Sequence, residues 1–583
     1  MAPSALPPTP TATNPLPPSP PRILVPEKLS PEGLALLRAQ GYQVDTPPPP
    51  FPASELLAQI AGYDALVVRS ETKVTAAVLA AAAAAAPGRL RVVARAGVGV
   101  DNIDVDAATR WGVVVVNSPG GNVRAAAEHT VALLLAVARN VGRADAGMKL
   151  GRWDRGKLVG VEVGGKTLGV VGFGKVGMKV ARMAKGLGMR VVVFDPYASA
   201  EVAAQVGVED FLTVHTPLLA STANLIGEKE LRLMKKTARV LNVARGGVYN
   251  EEALLRALDE GWIAGAGLDV FTSEPPVEGS VAARLAAHPK VVSTPHLGAS
   301  TVEAQENVSM DVCKQVVEVL RGGLPTAAVN APLILPEEYR RLQPFVKLIE
   351  RMGSLYTQHF AGARGGKVGG RRFELVYRGE LAGVSTTRPL FAALVKGLLS
   401  SISNLGGRDV NMVNATLLAK ERGIAIDEKH VRDTGAVSTY ASAVTLRSLR
   451  TEEEGGGSSA GEQIIEGYVS GNAVFISKLD RFAANFQPEG TLLVLHNYDE
   501  PGKIGNVGMI LGRHGVNINF MQVAALEGEA KSAPVLDGPV GSGNAHVANE
   551  ALMILGVAGD VTEEVLGELG RSEGILDVSL VRL

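Results

Sequence analysis

Residues 166–195, KTLGVVGFGKVGMKVARMAKGLGMRVVVFD, contain the pattern that decides the fold. An apolar run ends at a turn that contains Gly172, Gly174 and Gly177, a helix-like segment follows, and a second apolar run ends at Asp195. In a strand–turn–helix–strand unit the first glycine allows a tight turn, the second lets the backbone approach a pyrophosphate, and the third lets the helix pack on the strand. The stretch therefore predicts a dinucleotide site at the N-terminus of the helix, where backbone N–H groups can face an anion.

The acidic residue at the end of the second apolar run indicates which dinucleotide is bound. Asp195 follows Gly177 by 18 residues, and a carboxylate at about this spacing can accept hydrogen bonds from the hydroxyls of an adenosine ribose. The same carboxylate would repel a 2′-phosphate. We therefore predict NAD as the cofactor, in preference to NADP.

Length and composition limit the classes of protein that fit. The 583 residues exceed what one hydrophobic core organises, so three or four domains are expected. A net charge of −1 favours neither nucleic acid nor a membrane surface as partner, and the apolar stretch at residues 76–86 is too short to span a bilayer. The single cysteine, Cys313, excludes an intrachain disulfide and a cysteine-rich metal site and fits a reducing compartment. We expect a small-molecule partner and no metal.

Residues 1–22 differ in composition from the rest of the chain. They are rich in proline, which forbids a helix, and they lack the charged start and apolar core of a secretory signal. A plastid or mitochondrial transit peptide would be richer in arginine. We predict a disordered extension and a cytoplasmic location, with a plastid as the alternative.

The remaining chain alternates strand-like and helix-like segments. Residues 22–116 and 166–298 each show a β-α-β pattern, and a long apolar helix at 125–139 lies between them. The predicted fold class is α/β, with two doubly wound, Rossmann-like parallel-sheet domains followed by an α+β domain and a ferredoxin-like domain. The predicted boundaries are an extension at 1–22, a first domain at 23–122 and 300–330, an NAD domain at 123–299, an α+β domain at 335–485 and a C-terminal domain at 489–583.

The segment after Asp195 is unusually short. Only 14 residues separate it from Asp210, which leaves room for one helix at 199–205 but hardly for a further strand and helix. We therefore expect a shortened sheet edge beside the adenine pocket.

Five later segments have recognisable patterns. We predict a helix at 337–360, strands at 373–381 and 410–424, a flexible loop at 451–462 and a polar insertion at 527–549.

Three polar residues follow the glycine turn, each at a predicted junction between a strand and a loop. These junctions line the carboxyl-end crevice of a doubly wound sheet, where ligands bind. His296 can accept a hydroxyl proton near neutral pH, and Glu274 can stabilise the resulting imidazolium. Arg245 offers a planar fork of donors that suits a carboxylate. Taken singly each residue is more often structural, but together they predict a dehydrogenase site.

Several motifs resemble the D-2-hydroxyacid dehydrogenase family over nearly all of the chain after Arg22. They are ARAGVGVDNID, NSPGGNVRAAAEHT, GVVGFGKVG, FDPY, HTPL, NVARGG, LDVFTSEPP and TPHLGAST. The resemblance implies His296 as acid/base, Glu274 as its partner and Arg245 as the ligand of the substrate carboxylate. It implies that Arg69 and Arg95 bind the anionic substrate. It further implies NAD contacts from Val98, Lys175, Val176, Asp195, Thr216, Ala244, Asp269, His296, Leu297, Gly298 and Ala299.

The resemblance also implies a reaction. Hydride would move between C2 of 3-phospho-D-glycerate and NAD and give 3-phosphooxypyruvate, the first step towards L-serine. The alternatives are a glyoxylate or hydroxypyruvate reductase, which usually lacks a tail such as HNYDEPGKIGNVGMILGRHGVNINFMQVA, and an NAD-sensing corepressor, for which a basic or peptide-docking extension would be expected.

That tail resembles an ACT regulatory domain, and the middle region resembles the intervening domain of the long form of the family. ACT domains pair across subunits and hold an amino acid at the interface. The resemblance implies that Asn497, Asp499 and Asn517 cradle L-serine as an inhibitor. It also implies a homo-oligomer, most often a tetramer, with the helix at 125–139 as a subunit contact.

Overall fold

The structure, a computed structural model, describes residues 20–84, 89–196, 210–332, 334–362, 371–402, 410–432, 441–449, 463–525 and 550–583. Nearly all of the predicted extension, the predicted helix at 199–205, the loop at 451–462 and the insertion at 527–549 lie outside these residues. The chain divides into two compact units. The first comprises Met1–Val74, Val92–Ile103 and Val115–Ala327, and the second comprises Thr75–Arg91, Asp104–Val114 and Ala328–Leu583.

Strands and helices alternate along the described residues before residue 333. They are β1 (Arg22–Leu24), α1 (Pro31–Ala39), β2 (Gln43–Asp45), α2 (Ala53–Gln59), β3 (Ala65–Val68), α3 (Ala76–Ala83), β4 (Val92–Arg95), α4 (Val105–Arg110), β5 (Val114–Asn117), α5 (Val123–Ala138), α6 (Val141–Lys149), β6 (Thr167–Val171), α7 (Lys175–Gly186), β7 (Arg190–Phe194), β8 (Phe211–Val214), α8 (Glu228–Leu233), β9 (Arg239–Asn242), α9 (Glu251–Asp259), β10 (Gly265–Leu268), α10 (Val281–Ala286), β11 (Val291–Ser293) and α11 (Val302–Leu320). Helices α3 and α4 belong to the second unit.

The first sheet has the strand order β2-β1-β3-β4-β5, and β2, β1, β3 and β4 pair in parallel. All four residues of β3 are apolar and buried, as expected for a strand covered on both faces. Val68 pairs with Arg95 in the register of β3 and β4. Arg69 and Arg95 therefore lie at the same, carboxyl edge of this sheet.

The second sheet has the order β11-β10-β9-β8-β6-β7, and every pair is parallel. The strand order reverses between β6 and β8, at the kind of switch point where doubly wound sheets bind ligands. These two sheets confirm the predicted Rossmann-like class. Strand β7 is the outermost described strand beside β6, but residues 197–209 lie outside the description, so the shortened sheet edge stays a prediction.

The second unit contains a six-stranded mixed sheet and a four-stranded antiparallel sheet. Its elements after residue 333 are α12 (Pro336–Leu355), β12 (Arg372–Gly379), α13 (Arg388–Ser400), α14 (Ala415–Glu421), β13 (Ala425–Val431), β14 (Ser442–Leu449), β15 (Gln463–Ser470), β16 (Ala473–Leu479), β17 (Phe482–Phe486), β18 (Thr491–Tyr498), α15 (Lys503–Arg513), β19 (Asn517–Ala525), β20 (Glu550–Ala558), α16 (Glu563–Gly570) and β21 (Ile575–Arg582). The mixed sheet has the order β13-β12-β14-β15-β16-β17, in which only β12 and β13 pair in parallel.

One of the two predicted strands in this region is wrong. Residues 373–381 largely form β12, but residues 410–424 contain a turn and the helix α14. The run ATLLAKE consists mainly of strong helix formers. Its buried residues, Ala415 and Ala419, are four apart, which is helical spacing.

Helices α12 and α13 pack closely at two glycines. A Cβ atom on Gly397 would overlap the carbonyl oxygen of Glu350, and one on Gly353 would lie 2.8 Å from the carbonyl oxygen of Leu394. The absence of side chains at these positions lets the two backbones approach. Both helices contribute to the core cluster that contains the buried rings of Phe373 and Tyr377.

Among the described residues, no helix combines the length and the apolar character that crossing a bilayer requires.

The C-terminal elements follow the order β18-α15-β19-β20-α16-β21 in an antiparallel sheet ordered β19-β20-β18-β21. This is a split β-α-β arrangement and confirms the predicted ferredoxin-like fold. The apolar face of the sheet forms one cluster with residues of α15 and α16, including Leu493, Leu495, Leu511 and Leu569.

Candidate active site

The glycine turn after β6 has the geometry that its sequence predicts. Gly172 adopts a φ of +91°, and a Cβ atom there would lie 2.6 Å from the carbonyl oxygen of His215. A Cβ atom on Gly177 would overlap the carbonyl oxygen of Gly172, so this position also needs glycine. Gly174, the N-cap of α7, faces open space within 4 Å of its missing Cβ. The turn therefore leaves room for a ligand at the start of α7, where Lys175 and Val176 occupy the first turn.

Asp195 lies directly after β7 and is tied to the same turn. Its Oδ2 atom accepts a hydrogen bond of 2.7 Å from the Phe173 backbone N–H. Since its side chain remains partly exposed, the carboxylate can also face a ribose beside the turn.

The loop after β8 contributes a polar atom that the protein leaves without a partner. The hydroxyl of Thr216 is buried and has no hydrogen-bond partner among the described residues. Its methyl group lies 3.0 Å from the position of a Cβ on Gly172. His215 beside it is neutral near pH 7, because burial lowers its pKa to about 4. An orphaned hydroxyl next to the open glycine turn fits a bound dinucleotide.

The predicted acid/base pair is formed. Nδ1 of His296 lies 2.7 Å from Oε2 of Glu274, and the two side chains are 40% and 37% exposed. The other carboxylate oxygen of Glu274 accepts from the Phe271 backbone N–H at 3.0 Å. Partial burial disfavours the ionised form, but the hydrogen bonds from His296 and Phe271 lower the pKa of Glu274 below its ordinary value. Glu274 is thus a carboxylate near pH 7.

The backbone of His296 is held in an unusual conformation by Asp269. His296 has a φ of +53°, in the left-handed region that residues other than glycine rarely adopt. Its N–H donates to the carbonyl oxygen of Asp269 at 2.9 Å. The next two N–H groups, of Leu297 and Gly298, donate to the Asp269 carboxylate at 2.7 and 2.8 Å. Asp269 therefore fixes the loop that carries the imidazole.

The Asp269 carboxylate has further partners. The hydroxyl of Thr294 donates to its Oδ1 at 2.5 Å, and Nε2 of His129 on α5 lies 3.2 Å from the same oxygen. Burial disfavours the ionised form, but hydrogen bonds from His129, Thr294 and the loop outweigh it and lower the pKa of Asp269. The residue is only 1% exposed. The structure therefore shows Asp269 supporting the loop, and its predicted contact with the cofactor stays a prediction.

Arg245 follows β9 and points its guanidinium at a carboxylate. Its Nε donates to Oδ2 of Asp101 at 3.1 Å, and Nη1 donates to the carbonyl oxygen of Ala244 at 2.7 Å. The N–H of Ala244 in turn donates to the side chain of Asn242, whose own Nδ2 donates to the Arg245 carbonyl. The loop that carries the guanidinium is therefore internally braced.

Of the other two predicted arginines, Arg95 lies near Arg245, and Arg69 lies near Arg95. Burial lowers the pKa of Arg95 to about 10, and the charge of Arg245 adds to that effect, while Asp101 and Glu27 oppose it. Nε of Arg95 is buried without a hydrogen-bond partner among the described residues. Arg69 is anchored by its backbone N–H, which donates to Glu27 at 2.9 Å. This group of cations is suited to a substrate that carries more than one negative charge.

The remaining predicted cofactor contacts lie in the loop after β4 of the first sheet and in the loop after β11 of the second. Val98 is 37% exposed and its carbonyl accepts from Asn117. Leu297 is 41% exposed, whereas Gly298 is buried, and Ala299 follows on the same loop. Since β9, β10 and β11 are neighbours, the loops that carry Arg245, Glu274 and His296 share one end of the sheet.

Three residues of this arrangement were not predicted from the sequence: Asp101, Glu27 and His129. Asp101 lies within the quoted motif ARAGVGVDNID, so a signal for it existed. Glu27 and His129 act on segments more than forty residues away, and no local pattern marks those contacts.

The predicted effector residues are only partly brought together. Asn497 and Asp499 line a cavity of about 330 Å³, together with residues 500–504, Val523 and Met553. Oδ1 of Asn497 is buried without a hydrogen-bond partner among the described residues. Asn517 is not part of this cavity. It pairs with Ala558 on β20, whereas Asn497 pairs with Ala551, so the two asparagines lie about seven residues, or roughly 24 Å, apart along the sheet.

Two family models match the chain. The model described as "D-isomer specific 2-hydroxyacid dehydrogenase, NAD binding domain" matches residues 131–298. The model described as "D-3-phosphoglycerate dehydrogenase intervening domain" matches residues 341–465.

Curated relatives match over most of the chain. The chloroplastic D-3-phosphoglycerate dehydrogenase 3 of Arabidopsis thaliana is 41% identical over 97% of this chain and 92% of its own length. D-3-phosphoglycerate dehydrogenase of Archaeoglobus fulgidus is 38% identical over 96% of this chain and all of its own. The enzyme of that name from Rattus norvegicus is 42% identical over 70% of this chain and 75% of its own. The chain therefore belongs to the D-3-phosphoglycerate dehydrogenase family of D-isomer specific 2-hydroxyacid dehydrogenases.

Proposed function

We propose that the chain catalyses the NAD-dependent oxidation of 3-phospho-D-glycerate to 3-phosphooxypyruvate, the first step of L-serine synthesis. The observation that carries the proposal is the hydrogen-bonded His296–Glu274 pair. It lies with Arg245 at the carboxyl edge of the second sheet, which falls within the residues matched by the NAD-binding domain model. The names of the relatives and the group of cations near Arg245 support this substrate.

The hydrogen bond between His296 and Glu274 determines which ring nitrogen acts. Because the carboxylate lies 2.7 Å from Nδ1, the neutral ring carries its proton there and leaves Nε2 free to accept the hydroxyl proton of the substrate. The same carboxylate then stabilises the imidazolium. Arg245 binds the carboxylate next to C2, and Arg69 and Arg95 face the phosphate. NAD, when bound, supplies the hydride acceptor.

The residues around the glycine turn would hold the dinucleotide. Open space at Gly174 and the start of α7 suit the pyrophosphate, Asp195 suits the ribose, and the unpartnered hydroxyl of Thr216 supplies a further polar contact. Lys175, Val176, Val98, Ala244 and residues 297–299 complete the proposed set.

We propose that the chain forms a homo-oligomer, with a tetramer favoured. The contact at residues 125–139 stays a prediction, and about half of α5 packs inside its own unit, with Leu133, Leu134 and Ala138 buried. The next segment is the better candidate. None of the residues of α6 is buried, and Leu150, Trp153 and Val159 are 69, 79 and 80% exposed. An apolar surface of this kind is typical of a subunit contact.

We further propose that L-serine binds in the cavity at Asn497 and Asp499 and inhibits. The Asp499 carboxylate and the unpartnered Oδ1 of Asn497 can accept from an ammonium group, and the start of α15 can face a carboxylate. Asn517 could complete this site only if a second subunit supplied it. Inhibition requires that serine bind two arrangements of the protein with different affinity.

The substrate assignment is tested by NADH formation. The purified protein should reduce NAD with 3-phospho-D-glycerate and should be much less active with D-glycerate, which lacks the phosphate. Arg245→Ala should raise KM and lower kcat, because the guanidinium binds the substrate in the ground state and binds the transition state more tightly still. Equal activity on both acids, or a preference for glyoxylate or hydroxypyruvate with NADPH, would contradict the assignment.

The role of His296 is tested by His296→Ala. We expect kcat to fall by about 10²–10⁴-fold, the contribution of a positioned general base, while NAD still binds with near wild-type affinity in calorimetry. His288→Ala removes an imidazole outside the site, paired with Asp259, and should keep its activity. Substantial turnover by His296→Ala would exclude the imidazole as the base.

The subunit contact is tested by sedimentation of Trp153→Ser. This variant should shift the oligomer towards smaller species, because an exposed apolar anchor is lost, whereas Trp111→Ser, at a tryptophan that is 51% exposed elsewhere, should not. A wild-type protein that sediments as a monomer would contradict the proposal.

The effector site is tested by serine titration of activity. Millimolar serine should inhibit the wild type and should inhibit Asp499→Ala more weakly. Asp560→Ala removes an exposed carboxylate from the same domain outside the cavity and should behave as the wild type. Undiminished inhibition of Asp499→Ala, or no inhibition of the wild type, would disprove the assignment.

A further inference from the structure

The guanidinium of Arg245 is already paired with a carboxylate of the same unit. Oδ2 of Asp101 accepts from Nε of Arg245 at 3.1 Å. The pair lies against the backbone of Gly99, where a Cβ atom would overlap Nη2 of Arg245 and lie 2.6 Å from Oδ2 of Asp101. The Arg245–Asp101 pair therefore packs on the bare backbone of Gly99, where a larger residue would displace it.

The two acids near the arginines differ in how firmly they are held. Glu27 accepts backbone N–H groups of Arg69 and Thr72 on one oxygen, at 2.9 and 3.0 Å, and of Glu71 on the other, at 3.2 Å. It is thus fixed as part of the fold. The Asp101 side chain is 63% exposed, whereas that of Arg245 is 27% exposed. Asp101 is therefore the acid that can turn away into solvent while Arg245 stays in place.

The positive charges of the arginines favour an anion at this place. Partial burial lowers the pKa of Arg95, the positive charge of Arg245 adds to that effect, and the negative charges of Asp101 and Glu27 oppose it. Moving Asp101 away leaves Arg245 and Arg95 without this counter-charge. An incoming carboxylate restores the balance, so the exchange of one anion for the other costs little electrostatically.

We propose that, in the absence of substrate, Asp101 occupies the place at Arg245 that the substrate carboxylate takes. Asp101 must move away when substrate binds to Arg245. The inference rests on the proposed function, because it assumes that Arg245 binds the carboxylate of the substrate. Asp101 then lowers the affinity of Arg245 for carboxylates. A short carboxylic acid has to compete with Asp101 for the guanidinium and therefore binds more weakly.

The test is the binding of oxalate to the protein without substrate, measured by calorimetry. Asp101→Asn should bind oxalate about two- to five-fold more tightly than the wild type, the range expected when a largely exposed ion pair no longer competes. KM for 3-phospho-D-glycerate should fall by a similar factor. Glu306→Gln removes an exposed acid on α11 that has no part in the pair, and should leave oxalate binding unchanged.

A double-mutant cycle separates direct competition from a general change of charge. In the Arg245→Ala background, Asp101→Asn should give no gain in oxalate affinity, because the atom for which the two anions compete is gone. Weaker or unchanged oxalate binding by Asp101→Asn, no detectable binding by that variant, or a gain that persists without Arg245 would each overturn the proposal. Calorimetry does not depend on turnover, so failure here is distinguishable from failure of the wild type to oxidise 3-phospho-D-glycerate.

Discussion

The buried carboxylate of Asp269 is the constraint on which the candidate site depends. It accepts the N–H groups of Leu297 and Gly298, and its backbone carbonyl accepts that of His296. These bonds hold His296 at a φ of +53°, a conformation that costs roughly 1–3 kcal/mol for a residue with a side chain. An ionised group that is 1% exposed is tolerated because the hydrogen bonds of the loop, Thr294 and His129 satisfy it. The hydrogen bonds to Asp269 thus offset the backbone strain at His296.

The rest of the site is arranged around this fixed imidazole. Three neighbouring strands, β9, β10 and β11, deliver Arg245, Glu274 and His296 to one edge, and the switch point between β6 and β8 places the glycine turn on the same edge. The first sheet contributes Arg69 and Arg95 at its own carboxyl edge. Base and cations for the substrate therefore come from different loops. Parallel strands set the positions of these loops within each sheet, and side-chain contacts such as Arg245–Asp101 and Asp269 with the His296 loop add to them.

The sequence predicts those parts of the site that depend on local chemistry. The roles of Gly172 and Gly177 follow from a short motif, and the His296–Glu274 pair follows from placement after strands of one sheet. The strand predicted at 410–424 is wrong because its apolar residues follow helical spacing, with Ala415 and Ala419 buried on one face of α14. Partners distant in the chain are missed: Asp101 and Arg245 are 144 residues apart, and His129 and Asp269 are 140 apart. The sequence motif places Asn517 with Asn497, but the two residues pair near opposite ends of β20 and therefore lie far apart along the sheet.

The support that Asp269 gives to His296 is tested most directly by kcat of the Asp269→Asn variant at saturating NAD and 3-phospho-D-glycerate. An amide keeps the size of the side chain but places an N–H donor against the donors of the loop, so the loop cannot keep its shape. We predict that kcat falls by about 10²-fold or more, the effect of a misplaced catalytic group, in a protein that stays folded. A kcat within about twofold of the wild type, well under 1 kcal/mol of transition-state energy, would contradict the account.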